Sequence, residues 1–174
     1  MDGDFGHALK LDSLRDGERL DLVADEKERA AVCDRLRLRS LERLEAHVTL
    51  SRDGPRVHAE GRLKAMLEQS CVATGDPVPE RIDEAFEVQF LPEPKEGRAE
   101  QEVELGAEDC DTVFYDGGSV DLGAAIADTL ALSINPYPRS PEAEAALRQA
   151  GVISEAEAGP FAALAKLKKG SDAS

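Results

Sequence analysis

Tryptophan is absent from this sequence, and the remaining aromatics are five Phe and two Tyr. A core built here must rest on aliphatic side chains, which come in patterned runs of Leu, Val, Ile and Ala. No run approaches the ~18 uncharged apolar residues of a membrane span. The opening residues Met1-Asp2-Gly3-Asp4 are acidic and lack an apolar signal core, so no secretory leader is expected. Cysteine is scarce and odd in number: Cys33, Cys71 and Cys110 are widely spaced. That argues against a disulfide scaffold and against the close-spaced ligand pair of a structural zinc site. It favours a reducing, cytoplasmic setting.

Positive charge is also short. The 174 residues carry 36 acids against 21 bases, a net of −15. The imbalance is local. Residues 1–70 hold 15 acids and 13 bases, and residues 129–174 hold five of each. Residues 76–128 hold 16 acids and three bases (Arg81, Lys95, Arg98), a net of −13. Such a field repels nucleic acid and attracts basic proteins, although solubility alone accounts for it equally well. Basic residues cluster once, at Arg35, Arg37, Arg39 and Arg43, where they alternate with leucines.

The chemistry-bearing patterns are missing. Gly117-Gly118 lacks the Lys-Ser/Thr of a phosphate loop, and no serine sits in a G-x-S-x-G elbow. His47, His58 and Glu60 share one expected sheet face, where solvated histidines are the preferred reading over a metal site. No catalytic or metal-ligating set is assigned, and no cofactor is expected.

The alternation is strong enough to lay out the fold. Leu9/Leu11 and Leu20/Leu22 predict two short strands about an Arg15-Asp16-Gly17 turn. Asp25 with Glu28 reads as a capping box opening a helix to about Arg37, with Ala30, Cys33 and Leu36 inward. Leu44, Ala46, Val48 and Leu50, then Val57 through Leu67, predict a hairpin turning at Arg52-Asp53-Gly54-Pro55. Pairing Ser51 with Arg56 sets its expected register, which puts Leu50 beside Val57 and Leu44 beside Leu63. Ile82, Phe86, Val88 and Phe90 predict a third long strand.

Residues 92–111 are acidic and punctuated by Pro and Gly, which predicts a mobile loop. Val113-Phe114-Tyr115 restores order. Ser119 is the expected cap of a helix carrying Leu122, Ile126 and Leu130, stopped by Asn135-Pro136. Ser140-Pro141-Glu142 starts another helix, with Ala143, Ala146, Leu147 and Ala150 as its stripe. Phe161, Leu164 and Leu167 fall on one side of a short terminal helix.

The sum is an α+β fold. An antiparallel sheet, a hairpin or meander with barrel-like curvature allowed, carries helices that are mostly C-terminal. A single domain is expected over 1–158, followed by an amphipathic helix and tail over 159–174.

Three stretches together resemble one family. They are Ser70-Cys71-Val72-Ala73-Thr74-Gly75-Asp76-Pro77-Val78 with Ile82–Phe86, Gly117–Gly123 running into Leu130–Arg139, and Pro160–Leu167. Their order and spacing resemble the YceD family, also called domain of unknown function 177, in its alphaproteobacterial form. The resemblance covers nearly the whole chain and singles out Cys71, Gly117, Gly118, Asp121, Leu122, Pro136 and Pro138. It implies a part in accumulation of large-subunit (23S) ribosomal RNA. Many members carry a second cysteine where this chain has Thr74, so a paired-cysteine role does not carry over.

Charge and resemblance together suggest a non-enzymatic factor of large-subunit assembly. Its expected partner is a basic ribosomal protein or an assembly intermediate, with no membrane involved. The candidate contact residues are Glu93, Glu96, Glu100, Glu102 and Glu104, then Glu108, Asp109 and Asp111, with Tyr137 and Arg139 as a docking edge. The alternative is direct RNA contact through Arg35, Arg37, Arg39 and Arg43 with the hairpin residues Arg56, Arg62 and Lys64. A metal-dependent RNA-processing enzyme is the third and least supported reading.

Overall fold

A computed structural model of the chain describes residues 5–94 and 111–151. These divide into two compact units. The first contains residues 5–69, 79–94 and 111–136. The second contains 70–78 and 137–151.

Among the described residues, the first unit is built on a five-stranded sheet ordered β2-β3-β4-β5-β6. Its strands are β2 (Glu18–Val23), β3 (Ser40–Asp53), β4 (Arg56–Ser70), β5 (Pro77–Pro92) and β6 (Asp111–Tyr115). The sheet is open at β2 and β6, so the barrel-like curvature does not close. It is also mixed. β2–β3 and β3–β4 are antiparallel, whereas β6 runs parallel to β5, with Val88 opposite Asp111 and Pro92 opposite Tyr115. A parallel neighbour needs a return connection of a dozen or more residues, and the length of 93–110 supplies it. The side-chain bonds His58–Glu87, Arg62–Asp83 and Gln69–Glu80 show β5 descending as β4 ascends.

The β3–β4 hairpin keeps the expected faces but not the expected register. Asp53 pairs with Arg56, Leu50 with Ala59, Ala46 with Leu63 and Leu44 with Ala65. The expected pairing was displaced by two residues because the turn is tighter, with only Gly54 and Pro55 between the strands. Gly54 takes φ +60°, which its missing Cβ permits at no steric cost. A shift of two preserves side-chain parity, so Leu44, Ala46, Val48, Leu50, Val57, Ala59, Leu63 and Ala65 all remain buried.

Two short strands form a separate two-stranded sheet. β1 (Ala8–Lys10) pairs not with β2 but with β7 (Ser119–Asp121), Leu9 opposite Val120. A 3-10 turn over Leu11–Ser13 separates β1 from β2 and buries Leu11 and Leu14. Three-residue strands carry too little alternation to specify a partner that lies far away in sequence.

Helix α1 (Glu26–Leu36) opens on the predicted capping box. Glu28 N donates to Asp25 Oδ1 at 2.9 Å, and Asp25 N donates to Glu28 Oε2 at 2.8 Å. Its buried residue is Val32, while Ala30 is exposed and Cys33 and Leu36 are half-buried. Helix α2 (Leu122–Ser133) is not capped by Ser119, which lies in β7. Asp121 is the cap: its Oδ1 accepts Ala124 N at 2.9 Å. α2 buries Leu122, Ile126 and Leu130 completely in the core of the first unit, with Leu44, Leu50, Leu63 and Phe90. Each such side chain contributes about 1.5–3 kcal/mol. Phe5 seals the same core from the N-terminal side.

In the second unit, α3 (Ala143–Gln149) starts two residues after Pro141, with Ala143 buried and Gly151 just beyond its end at φ +81°. The predicted terminal helix and tail at 159–174 and most of the predicted loop at 92–111 lie outside the described residues. At that loop's margins, Pro92 still belongs to β5 and Asp111 already to β6.

Candidate functional site

The acidic candidates fall in three groups. Glu93 leaves β5 exposed, its N–H donating to Tyr115 O at 2.9 Å. Asp111 is exposed at the first position of β6. Glu96, Glu100, Glu102, Glu104, Glu108 and Asp109 lie outside the described residues. Tyr137 and Arg139, the proposed docking edge, belong to the second unit and are exposed, Tyr137 by 72%.

The basic candidates are largely matched by acids. Arg35 on α1 pairs with Asp128 on α2. Arg39 lies 3.6 Å from Glu68, and Arg43 grips Glu45 through two nitrogens at 2.9 and 2.7 Å. Arg37 caps α1 in the left-handed region at φ 55°. On the hairpin face Arg62 pairs with Asp83, whose carboxyl that hydrogen bond holds below its ordinary range. His47 bonds Asp21 on one side of the hairpin and His58 bonds Glu87 on the other, each at 2.6 Å. The two histidines are thus drawn apart, and among the described residues no three Cys, His, Asp or Glu side chains converge as a metal site. A basic surface for phosphates needs uncompensated Lys and Arg, and Arg35, Arg39, Arg43 and Arg62 are each compensated by a carboxylate.

The residues of the family resemblance separate between the units. Gly117, Gly118, Asp121, Leu122 and Pro136 belong to the first. Asp121 and Leu122 start α2, one as its cap and one in the core. Cys71 and Pro138 belong to the second, where they build a tight corner. Cys71 N donates to Asp76 O at 2.7 Å, Gly75 N donates to Cys71 O at 2.9 Å, and Val72 N donates to Pro138 O at 2.9 Å. Ser140 N donates to Cys71 Sγ at 3.3 Å, and the Thr74 and Ser140 hydroxyls lie 3.2 Å apart. Donors converging on sulfur, first the Ser140 amide and then the Thr74 hydroxyl, lower the Cys71 thiol to about 6 against the opposing effect of burial. Burial pushes the Cys33 thiol the other way, assisted by Asp34. Ser140 was legible only as a helix-start residue. Its contact with a cysteine 69 positions earlier has no local signal.

A groove of about 710 Å³ opens on the first unit. Strands β3 to β6 and the last turns of α2 line it, including Glu60, Glu87 and Asp111 with Phe86 and Leu132. Periodicity places Glu60 and Glu87 on polar faces but does not bring them to Asp111, since that needs the parallel placement of β6.

The family model described as large ribosomal RNA subunit accumulation protein YceD matches residues 59–168, which takes in the Cys71 corner, β5 and α2. The chain belongs to the YceD family. No curated protein and no solved structure matches it. The YceD match therefore attaches the chain to large-subunit RNA accumulation, a process rather than a reaction. Among the described residues, no YceD helix here is long and apolar enough to cross a membrane.

Proposed function

We propose that this YceD protein is a non-catalytic factor of large-subunit assembly in the cytoplasm. It supports 23S ribosomal RNA accumulation by holding a basic ribosomal protein, or an intermediate that displays one, through its acidic segment. The observation that carries the reading is the charge division. Residues 76–128 have a net of −13, while Arg35, Arg39, Arg43 and Arg62 are each matched by a carboxylate. A molecule so charged draws cationic protein tails and repels bare RNA. By shielding a basic protein from wrong RNA contacts, it would keep that protein available until its site forms. Direct RNA contact is the second reading, and the compensated arginines count against it.

The test is a tagged pull-down of the full chain from bacterial lysate, with and without ribonuclease, identifying the retained proteins. Large-subunit ribosomal proteins should remain after ribonuclease and should bind the purified chain directly. Loss of all of them with the RNA overturns the reading.

A further inference from the structure

The groove on the first unit carries charge of one sign. Glu60, Glu87 and Asp111 contribute to it, and no Lys, Arg or His is among its described lining residues. Elsewhere on this unit Asp21, Glu45, Glu68, Asp83 and Asp128 each have a basic partner. Glu60 and Asp111 form no ion pair among the described residues. Glu87 is bonded to His58, yet its side chain stays 47% exposed.

The same groove presents an apolar side chain that the fold does not need. α2 turns Leu122, Ile126 and Leu130 into the core but leaves Leu132 77% exposed, beside the groove edge of Phe86. The neighbouring hydroxyls of Thr129 and Ser133 donate back to the Ala125 and Thr129 carbonyls within the helix. What the groove offers a guest is therefore carboxylate charge and apolar surface. A volume near 710 Å³ is within the range of pockets that hold a few side chains.

We propose that this groove binds an extended Lys/Arg-bearing segment of a basic protein, its cations against Glu60 and Asp111 and an apolar side chain on Leu132. Charge complementarity selects the occupant: an acidic lining attracts cationic peptide and repels a phosphate backbone. The proposal rests on the acidic-factor reading above and gives it a place on the molecule. Glu87 adds a third carboxylate, for which an incoming cation competes with His58.

The test uses the full chain and a fluorescein-labelled nine-residue peptide of alternating Arg and Leu, read by anisotropy. Peptides of alternating Glu and Leu, and of alternating Arg and Ser, are the comparisons. Leu132→Glu and the double variant Glu60→Gln/Asp111→Asn should each weaken Arg/Leu binding about tenfold, a loss of ~1.4 kcal/mol. All three positions are exposed, so thermal melting should stay unchanged and exclude unfolding as the cause. Neutralising Glu96, Glu100, Glu102 and Glu104 together should weaken binding less than either groove variant.

Arg/Leu binding that both groove variants leave intact overturns the groove. So does equal binding of the Arg/Ser peptide, or an RNA oligomer displacing the Arg/Leu peptide in a Leu132-dependent way. The pull-down separates the two readings. If the groove variants still capture ribosomal proteins after ribonuclease at the unmodified level, the groove proposal fails and the assembly-factor reading stands. If the unmodified chain captures none, the assembly-factor reading fails.

Discussion

The amide of Ser140 donates to the sulfur of Cys71 across 69 residues of sequence, at 3.3 Å. The bond stabilises the thiolate over the thiol, and with Thr74 it brings the thiol from an ordinary 9.0 to about 6. An acid whose folded value is depressed contributes stability that is fully present above its unfolded value. That contribution is lost as pH falls through the folded value. Stability should therefore rise between about pH 6 and 9 relative to a Cys71→Ala variant. With Cys33 and Cys110 changed to serine, thiolate absorbance should titrate near 6. A midpoint near 9 would remove the effect. Thr74→Val should raise the midpoint, because the hydroxyl donor is lost.

Asp121 should behave as a cap and not merely as a favourable first-turn charge. Asp121→Ala is expected to cost about 0.5–2 kcal/mol in urea denaturation, while Asp121→Asn should retain most of the stability. Equal losses for the two would assign the effect to charge alone. Ser119→Ala should leave stability nearly unchanged.

Gly123 shows a close approach that propensity would misjudge. The His7 carbonyl accepts Leu122 N at 3.0 Å, and a Cβ at Gly123 would overlap the Phe5 carbonyl oxygen. In an open helix Gly→Ala gains up to ~1 kcal/mol. Here Gly123→Ala should instead destabilise by about 1–3 kcal/mol, because the N-terminal segment must move off α2. Gly118→Ala is the control, since nothing lies within 4 Å of its Cβ position. Unchanged urea midpoints for both would contradict the packing.

Arg35 distinguishes a structural ion pair from an RNA contact. Arg35→Glu places like charge against Asp128 and should cost no more than ~1 kcal/mol, since both side chains are largely exposed. It should leave the amount of ribosomal RNA retained by the tagged chain without ribonuclease unchanged. Loss of that RNA in the variant would return the arginine cluster to the binding site.

How much of this molecule could be read from its residues varies by element. The Asp25–Glu28 capping box, the long alternating strands and the Leu122/Ile126/Leu130 stripe are local patterns, and local patterns follow from the 2.0 and 3.6 residue periods. The family was legible through the same kind of contiguous motif. The hairpin register was missed by two residues because parity sees only which face a side chain takes. Choosing Gly54-Pro55 over a four-residue turn depends on the fit of the twisted strands. The pairing of β1 with β7, the parallel β6, the Ser140–Cys71 bond and the groove at Glu60, Glu87 and Asp111 are all contacts between distant residues. Sequence determined the composition of each surface, the acidic bias and the residues available for the core. Tertiary structure decided which acids met a base and which were left facing a groove. Charge compensation depends on distance, and only the packed chain sets distances between residues far apart in sequence.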